Sequence, residues 1–203
     1  MKYFLLFVLL LVPIGSAIAK PPPLTPGIYT DWDGEIDEVQ IFQTFHLRDY
    51  NRVLVLPINP SGITMPTDNT RRPVEKNLAK STDIFVEEFD NDMPNKMKVK
   101  VVTAPANTNI RGNPGALILR AKFREMDPGT SAGRTFSLGF AGATHVTLAG
   151  EFIDGATGKT LVMFSHHNYH SKAGIFNKYT AALEENEQQL AESISKLIKA
   201  FYP

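Results

Sequence analysis

The chain has no cysteine among its 203 residues. No disulfide can form, and no thiol is present to carry the acyl chains of a bacterial lipoprotein. Net charge is also missing, since 21 basic and 21 acidic side chains balance. That balance gives no broad positive field for nucleic acid or for an anionic lipid surface. Long apolar runs are scarce as well: the longest, Tyr3 to Val12, falls short of the ~20 residues that a spanning helix needs. Tryptophan occurs once, at Trp32, and suits either a lid over the core or a binding anchor.

What the N-terminus does contain is a pattern for export. Lys2 precedes the apolar run, and Pro13, Gly15 and Ser16 break it ahead of Ala17-Ile18-Ala19. These features read as a secretory signal peptide over residues 1–19, cleaved after Ala19. The expected destination is the periplasm or the exterior. Removing Lys2 with the signal leaves 20 basic and 21 acidic side chains on 184 residues. That length suits one domain whose stability comes from its core instead of covalent staples. Residues 20–48 are expected to form an extended N-terminal segment and residues 49–203 a single α/β domain.

Lys20-Pro21-Pro22-Pro23 and Pro26-Gly27 are extended by proline's fixed φ, as a tether or an edge. Val39, Ile41 and Phe45 suggest a short strand. Arg52 to Ile58 is a continuous aliphatic run closed by Pro57 and Pro60, the mark of a strand buried on both faces. Pro73 suits a first helical turn, and Val74, Leu78, Ser81, Phe85 and Phe89 then fall on one face, predicting a single helix to about Asn91. Met97, Val99 and Val101 alternate with Lys98 and Lys100 as a strand; it completes a right-handed crossover if it lies parallel to the first. Ala116–Phe123 reads as a strand. Thr144–Ile153 and Lys159–Phe164 read as a hairpin around Asp154-Gly155-Ala156-Thr157-Gly158. Leu190, Ile194, Leu197, Ile198 and Phe201 form the stripe of a long closing helix. The expected fold class is therefore α/β, a single mixed β-sheet with an early crossover helix, a C-terminal β-meander and the closing helix.

Several of these segments carry a family resemblance. Asp127-Pro128-Gly129-Thr130-Ser131-Ala132-Gly133-Arg134, Gly139-Phe140-Ala141-Gly142-Ala143, Phe152-Ile153-Asp154 and Thr157-Gly158-Lys159 resemble a bacterial envelope family known as domain of unknown function 4410. Arg52 to Pro57 resembles that family's opening strand, and the likeness runs from about Asp49 to the closing helix. It implies a two- or three-layer α/β domain related to accessory domains of outer-membrane assembly and secretion. Many members look like lipoproteins, and this chain departs from them in having no cysteine. The family supplies no catalytic residues.

The residues themselves offer four chemical readings. Gly129-Thr130-Ser131-Ala132-Gly133 matches G-x-S-x-G, with Asp154 and histidines following in hydrolase order. A nucleophile elbow needs a strand before Ser131 and a helix after it, whereas Asp127-Pro128 is a turn and Arg134 to Gly139 is loop or strand. His166, His167 and His170 are candidate zinc or copper ligands, although on a strand His167 points away from the other two. Asp31 to Asp37 resembles part of a calcium loop, but an EF-hand register puts Tyr29 and Gln40 where Asp and Glu are required. Gly139 and Gly142 with Phe136 and Phe140 suit either an anion cradle or a contact patch for a partner. No helix start or Gly-Lys-Ser/Thr ending follows to complete a cradle.

Together these observations lead us to expect a non-enzymatic, exported envelope protein that binds another periplasmic or outer-membrane component, with no cofactor, no nucleic acid and no transmembrane segment after cleavage. The alternatives are a metal or small-ligand binder at His166, His167 and His170, and a serine hydrolase through Ser131.

Overall fold

The computed structural model describes residues 24–93, 99–129, 144–170 and 179–202, with the backbone alone at 170 and 179. Seven strands form one sheet: β1 Gly27–Trp32, β2 Ile36–Ile41, β3 Arg52–Val55, β4 Lys100–Thr103, β5 Ala116–Asp127, β6 Thr144–Asp154 and β7 Thr160–His170. Their order is β1-β2-β7-β6-β5-β3-β4. β3 runs parallel to both β4 and β5, and the remaining pairs are antiparallel. The helices are α1 Arg71–Leu78, α2 Ser81–Asp92 and α3 Tyr179–Ala200. The chain is thus α/β, with a mixed sheet and a long closing helix. No described helix is long and apolar enough to cross a membrane.

Side-chain alternation decides which face of the sheet is covered. Val39, Val53, Leu117, Leu119, Phe123, Val146, Leu148 and Phe164 are buried with Phe85 and Phe89 of α2 and with Leu183, Leu190, Ile194, Leu197 and Ile198 of α3. The predicted stripe of the closing helix is therefore the face that packs. Full burial of each Leu or Ile contributes roughly 1.5–3 kcal/mol. On the opposite face a smaller cluster of Leu54, Ile118, Ile153, Ala104 and Ile110 lies under the segment between β4 and β5.

Three expectations change. Residues 27–41, expected within an extended segment, form a hairpin that pairs through β2 with β7 at the sheet's edge. Its polar and apolar residues do not alternate strictly, as Asp37 and Glu38 part the buried Ile36 and Val39, and the turn Asp31 to Gly34 is made by positive φ at Asp31, Asp33 and Gly34, with Asp33-Gly34 its one visible signal. The predicted strands are also longer: β5 continues past Phe123 to Asp127, and β7 past Phe164 to His170.

The helix predicted to begin near Pro73 and end near Asn91 is two helices, parted at Ala79 and Lys80. Lys80 N–H turns to the Asn77 carbonyl three residues back, at 2.8 Å, and Ser81 Oγ donates to that same carbonyl at 3.1 Å. This break buries Asn77 completely, while Leu78, placed on the predicted stripe, is only partly covered.

Asn77 meets Glu187 of α3, which is also fully buried. Asn77 Nδ2 donates to Glu187 Oε1, while Glu187 Oε2 and Asn77 Oδ1 are buried without a partner. Burial pushes the Glu187 carboxyl up from 4.5 to about 8 against the downward pull of Ser81 and Asn77, and nearby Glu184 adds to the rise. A proton on the acid supplies the donor that these two oxygens lack. The folded state therefore binds this proton more tightly than the unfolded chain. Its contribution to stability is complete below pH 4.5 and is lost as pH rises to about 8. Chemical denaturation between pH 5 and 8.5 should show stability falling by a few kcal/mol. Glu187→Gln, which keeps the shape without the charge, should flatten that slope; an equally steep profile in the variant would remove Glu187 as its source.

Candidate functional site

Strand β7 separates His166 from His167. His166 lies on the helix-covered side opposite Leu148, and His167 lies on the other face opposite Thr147. Alternation puts the backbone of residue 170 in the same phase as His166. His166 and His167 therefore do not converge as one ligand set, and the His170 side chain lies outside the described residues. His166 is largely buried, with Nδ1 3.5 Å from Asp37 Oδ2, and the same carboxylate oxygen accepts the His167 backbone N–H at 2.7 Å. Burial lowers the His166 pKa below 6.5, and Asp37 opposes that fall.

His167 instead joins residues that sequence spacing did not associate with it. Its Nδ1 is 2.8 Å from Thr147 Oγ1, and its ring lies 5.4 Å from that of His145 on β6 and 5.5 Å from Tyr169. His145 stacks on Tyr169 at 5.7 Å with planes 6° apart. On the far side of His145, Nε2 is 3.0 Å from Glu125 Oε1 and 3.9 Å from Asp127 Oδ2, both on β5. Three neighbouring strands thus make a row of acid, imidazole and phenol. Among the described residues no group of three His, Asp or Glu side chains has the geometry to hold a metal ion.

A bulge makes this row possible. Leu117, Leu119, Ala121 and Phe123 alternate inward, and at the register shift between Phe123 and Glu125 the phase changes, so that Met126 is buried next. Arg124 and Glu125 then share the open face, as a bulge permits. Arg120, Lys122 and Arg124 occupy one side of the shift, and Glu125 and Asp127 the other. Beside them a cleft of about 500 Å³ lies between β5 and the segment before α1, lined by Thr64, Asp68, Thr70, Arg124, Asp127 and Thr147. Asp68 is held below the usual carboxylate range by hydrogen bonds from the Thr70 hydroxyl and N–H.

The remaining candidates resolve differently. Gly129 follows β5 with φ +68°, and its N–H donates to Asp127 Oδ1 at 2.7 Å. Ser131, Phe136, Gly139, Phe140 and Gly142 lie outside the described residues. Asp154 anchors the β6–β7 turn, accepting from Thr157 N at 2.7 Å, Thr157 Oγ1 at 2.6 Å and the Tyr50 hydroxyl at 3.0 Å. Burial opposes its ionisation, but these bonds bring its pKa below 3.8. It sits six residues along β6 from Leu148, the partner of His166, or roughly 20 Å at strand rise. Asp154 therefore does not orient any of the β6 or β7 histidines. The resemblance to a calcium loop dissolves into the β1–β2 turn, where Trp32 is buried and Glu35 binds Lys196 of α3 at 2.9 Å.

The fold and this open, polar part of the sheet define an α/β domain whose helices pack on one face of a mixed sheet. A family model described as a domain of unknown function (DUF4410) matches residues 56–174, and the chain belongs to that family. No curated protein matches. Among solved structures, the PelC dodecamer of Paraburkholderia phytofirmans is similar at 15% identity and TM-score 0.41, over 75% of this chain and 96% of that one. A DUF330 protein of Xanthomonas campestris is similar at 12% identity and TM-score 0.42, over 77% and 88%. A putative neuraminyllactose-binding hemagglutinin homolog of Helicobacter pylori shows 10% identity and TM-score 0.37, over 77% and 84%.

Two measurements test this geometry. In Asp37→Asn the His166 imidazole loses the charge that favours its protonation, so its midpoint in an NMR titration should move further down; an upward move would contradict the pairing. At Gly62 an added Cβ would stand 1.9 Å from the Phe123 carbonyl oxygen. Gly62→Ala should thus force this segment off β5 and destabilise the protein by about 1–3 kcal/mol in denaturant titration. Wild-type stability in that variant would show that the segment does not pack this closely.

Proposed function

We propose that the chain is an exported, non-enzymatic envelope protein that works by binding another envelope component. The observation that carries the reading is an apolar patch beside the sheet's outer edge. Ile28 on β1 is 66% exposed, and Phe42, which directly follows β2, is 45% exposed. Among the described residues β1 pairs with β2 alone, so its other edge is available to an incoming strand. An unpaired edge with adjacent apolar side chains suits strand addition, in which main-chain bonds provide affinity and side-chain pockets provide selection. The signal-like N-terminus gives the expected compartment.

Photocrosslinking from Phe42 in intact cells, followed by mass spectrometry, tests both parts. A discrete envelope protein captured from Phe42, and not from the exposed helix position Glu192, is the expected result. Capture of cytoplasmic proteins alone, or the same products from both positions, would refute the reading. Ile28→Asp should reduce the Phe42 product severalfold while leaving stability within about 0.5 kcal/mol, as for an exposed site.

A further inference from the structure

Charges on the open face of the sheet are matched in one row and unmatched in the next. The pairing sets the first row as Arg120, Glu151, Met163, Gln40 and Ile28, and the second as Lys122, Ala149, Ser165, Glu38 and Thr30. Arg120 has its countercharge directly opposite: its Nε and Nη2 donate to Glu151 Oε1 at 2.9 and 2.6 Å, and Thr160 Oγ1 donates to Glu151 Oε2 at 2.5 Å. Lys122 stands opposite Ala149, where a carboxylate would have stabilised the strand pair. Arg124, the extra residue of the bulge, has no cross-strand partner. Neither Lys122 nor Arg124 makes a side-chain hydrogen bond or ion pair among the described residues.

The small side chain at Ala149 also leaves a trough in this face. Two adjoining hollows of about 330 and 200 Å³ share Arg124, Ala149 and Met163 in their walls. Asn59, Arg120 and Lys122 bound the larger one, and Glu38, Gln40 and Ser165 the smaller. The larger lies at the lower end of the range of roughly 300–1,000 Å³ that holds small ligands. Charge is divided along the trough. Glu151 is occupied by Arg120 and Thr160, so the larger hollow keeps the positive charge of Lys122 and Arg124, while Glu38 lies at the far end of the smaller. Between them Met163 is 45% exposed, and its thioether offers an apolar, polarisable contact that favours an aromatic ring.

We infer that the larger hollow is a binding site for a phosphate group, with a compact apolar portion of the same ligand resting on Ala149 and Met163. An arginine fork binds two phosphate oxygens at once, and a lysine ammonium serves as a point charge for a third. Asn59 Oδ1 already accepts the Ser61 N–H at 2.8 Å, so its amide nitrogen is the donor it can add. The phosphate can belong to a soluble monoester or to a phospholipid headgroup. The open face continues through Gln40 to Ile28, so this site and the patch proposed for a protein partner lie on one surface. The inference does not rest on that partner, because Lys122, Arg124, Ala149 and Met163 form the site by themselves.

Phenyl phosphate titrated into purified protein carrying labelled methionine methyls should shift the Met163 resonance saturably. Its affinity should exceed that of inorganic phosphate by about fivefold, through the ring on Met163. No saturable shift up to about 10 mM, or equal affinity for the two probes, would overturn the inference. By calorimetry, K122Q/R124Q should weaken phenyl phosphate binding about tenfold or more, as both charged donors are removed. A149L fills the hollow and leaves both cations in place, and it should weaken binding as much. Full binding in a folded A149L would reduce the site to diffuse surface charge and overturn it. S165L fills the trough from β7 and takes the place of A149L if that variant fails to fold. Vesicles of phosphatidylcholine with and without phosphatidic acid separate the two sources. Co-sedimentation that requires phosphatidic acid and is lost in A149L assigns the headgroup, whereas phenyl phosphate binding without co-sedimentation assigns a soluble ester. Failure of the titration would leave crosslinking at Phe42 unaffected, and failure at Phe42 would leave the titration of purified protein unchanged.

Discussion

Everything on the open face depends on the packing of α3 against the other side of the sheet. A chain with no disulfide must hold its seven strands by burial, and α3 contributes Leu183, Leu190, Ile194, Leu197 and Ile198 at 1% exposure or less. Polar bonds then set its position lengthwise. Asn186 Nδ2 donates to the Thr144 carbonyl at 3.3 Å, and Asn168 of β7 reaches Gln189 at 2.8 Å. Lys199 binds Asp92 of α2 at 2.5 Å, and Lys196 binds Glu35 in the β1–β2 turn. A single helix thus joins the central strands, the edge hairpin and the neighbouring helix. With one face closed in this way, the alternate residues of β5, β6 and β7 outside the smaller cluster at Ile118 and Ile153 are free to serve another purpose.

The bulge in β5 shows how much one residue can change. In strict alternation Arg120, Lys122, Arg124 and Met126 would share a face, exposing a methionine and burying Glu125 and Asp127. Burying two carboxylates without cations is far more costly than breaking one ladder step. The register shift between Phe123 and Glu125 instead buries Met126 and brings Glu125 to His145. A local change of phase therefore creates the boundary between basic and acidic halves.

Much of this fold is legible in the residues. The aliphatic run at Arg52, the Asp154-Gly155 turn and the stripe from Leu190 to Phe201 each state their role locally, because burial against a sheet follows period two or 3.6. The family resemblance through Asp127 to Lys159 agrees with the matched region, residues 56–174. The break at Ala79 is less visible, since it has neither glycine nor proline and depends on Ser81 competing for a backbone carbonyl. The site is the least legible. His145 and His167 are 22 positions apart, and neither spacing nor composition pairs them; only the β6–β7 register does. Proximity in sequence grouped His166, His167 and His170, and alternation along a strand separates His166 from His167. The readable signal was Arg124-Glu125-Met126-Asp127, where the inward apolar phase visibly changes from odd to even positions.

Glu187 presents a different balance. Its helix could hold an apolar residue there, yet the fully buried acid faces Asn77 at the place where α1 ends and α2 begins. An apolar residue would leave the Asn77 amide without its partner, and buried polar groups are tolerated when they bond. The neutral acid is matched to the amide in shape and in donors: the Asn77 amide donates to Glu187 Oε1 in either state, and the proton supplies the second donor of the pair. α1 also ends the segment that carries Thr64, Asp68 and Thr70 along the 500 Å³ cleft. The buried Asn77–Glu187 pair and the wall of that cleft therefore stand at opposite ends of one short helix.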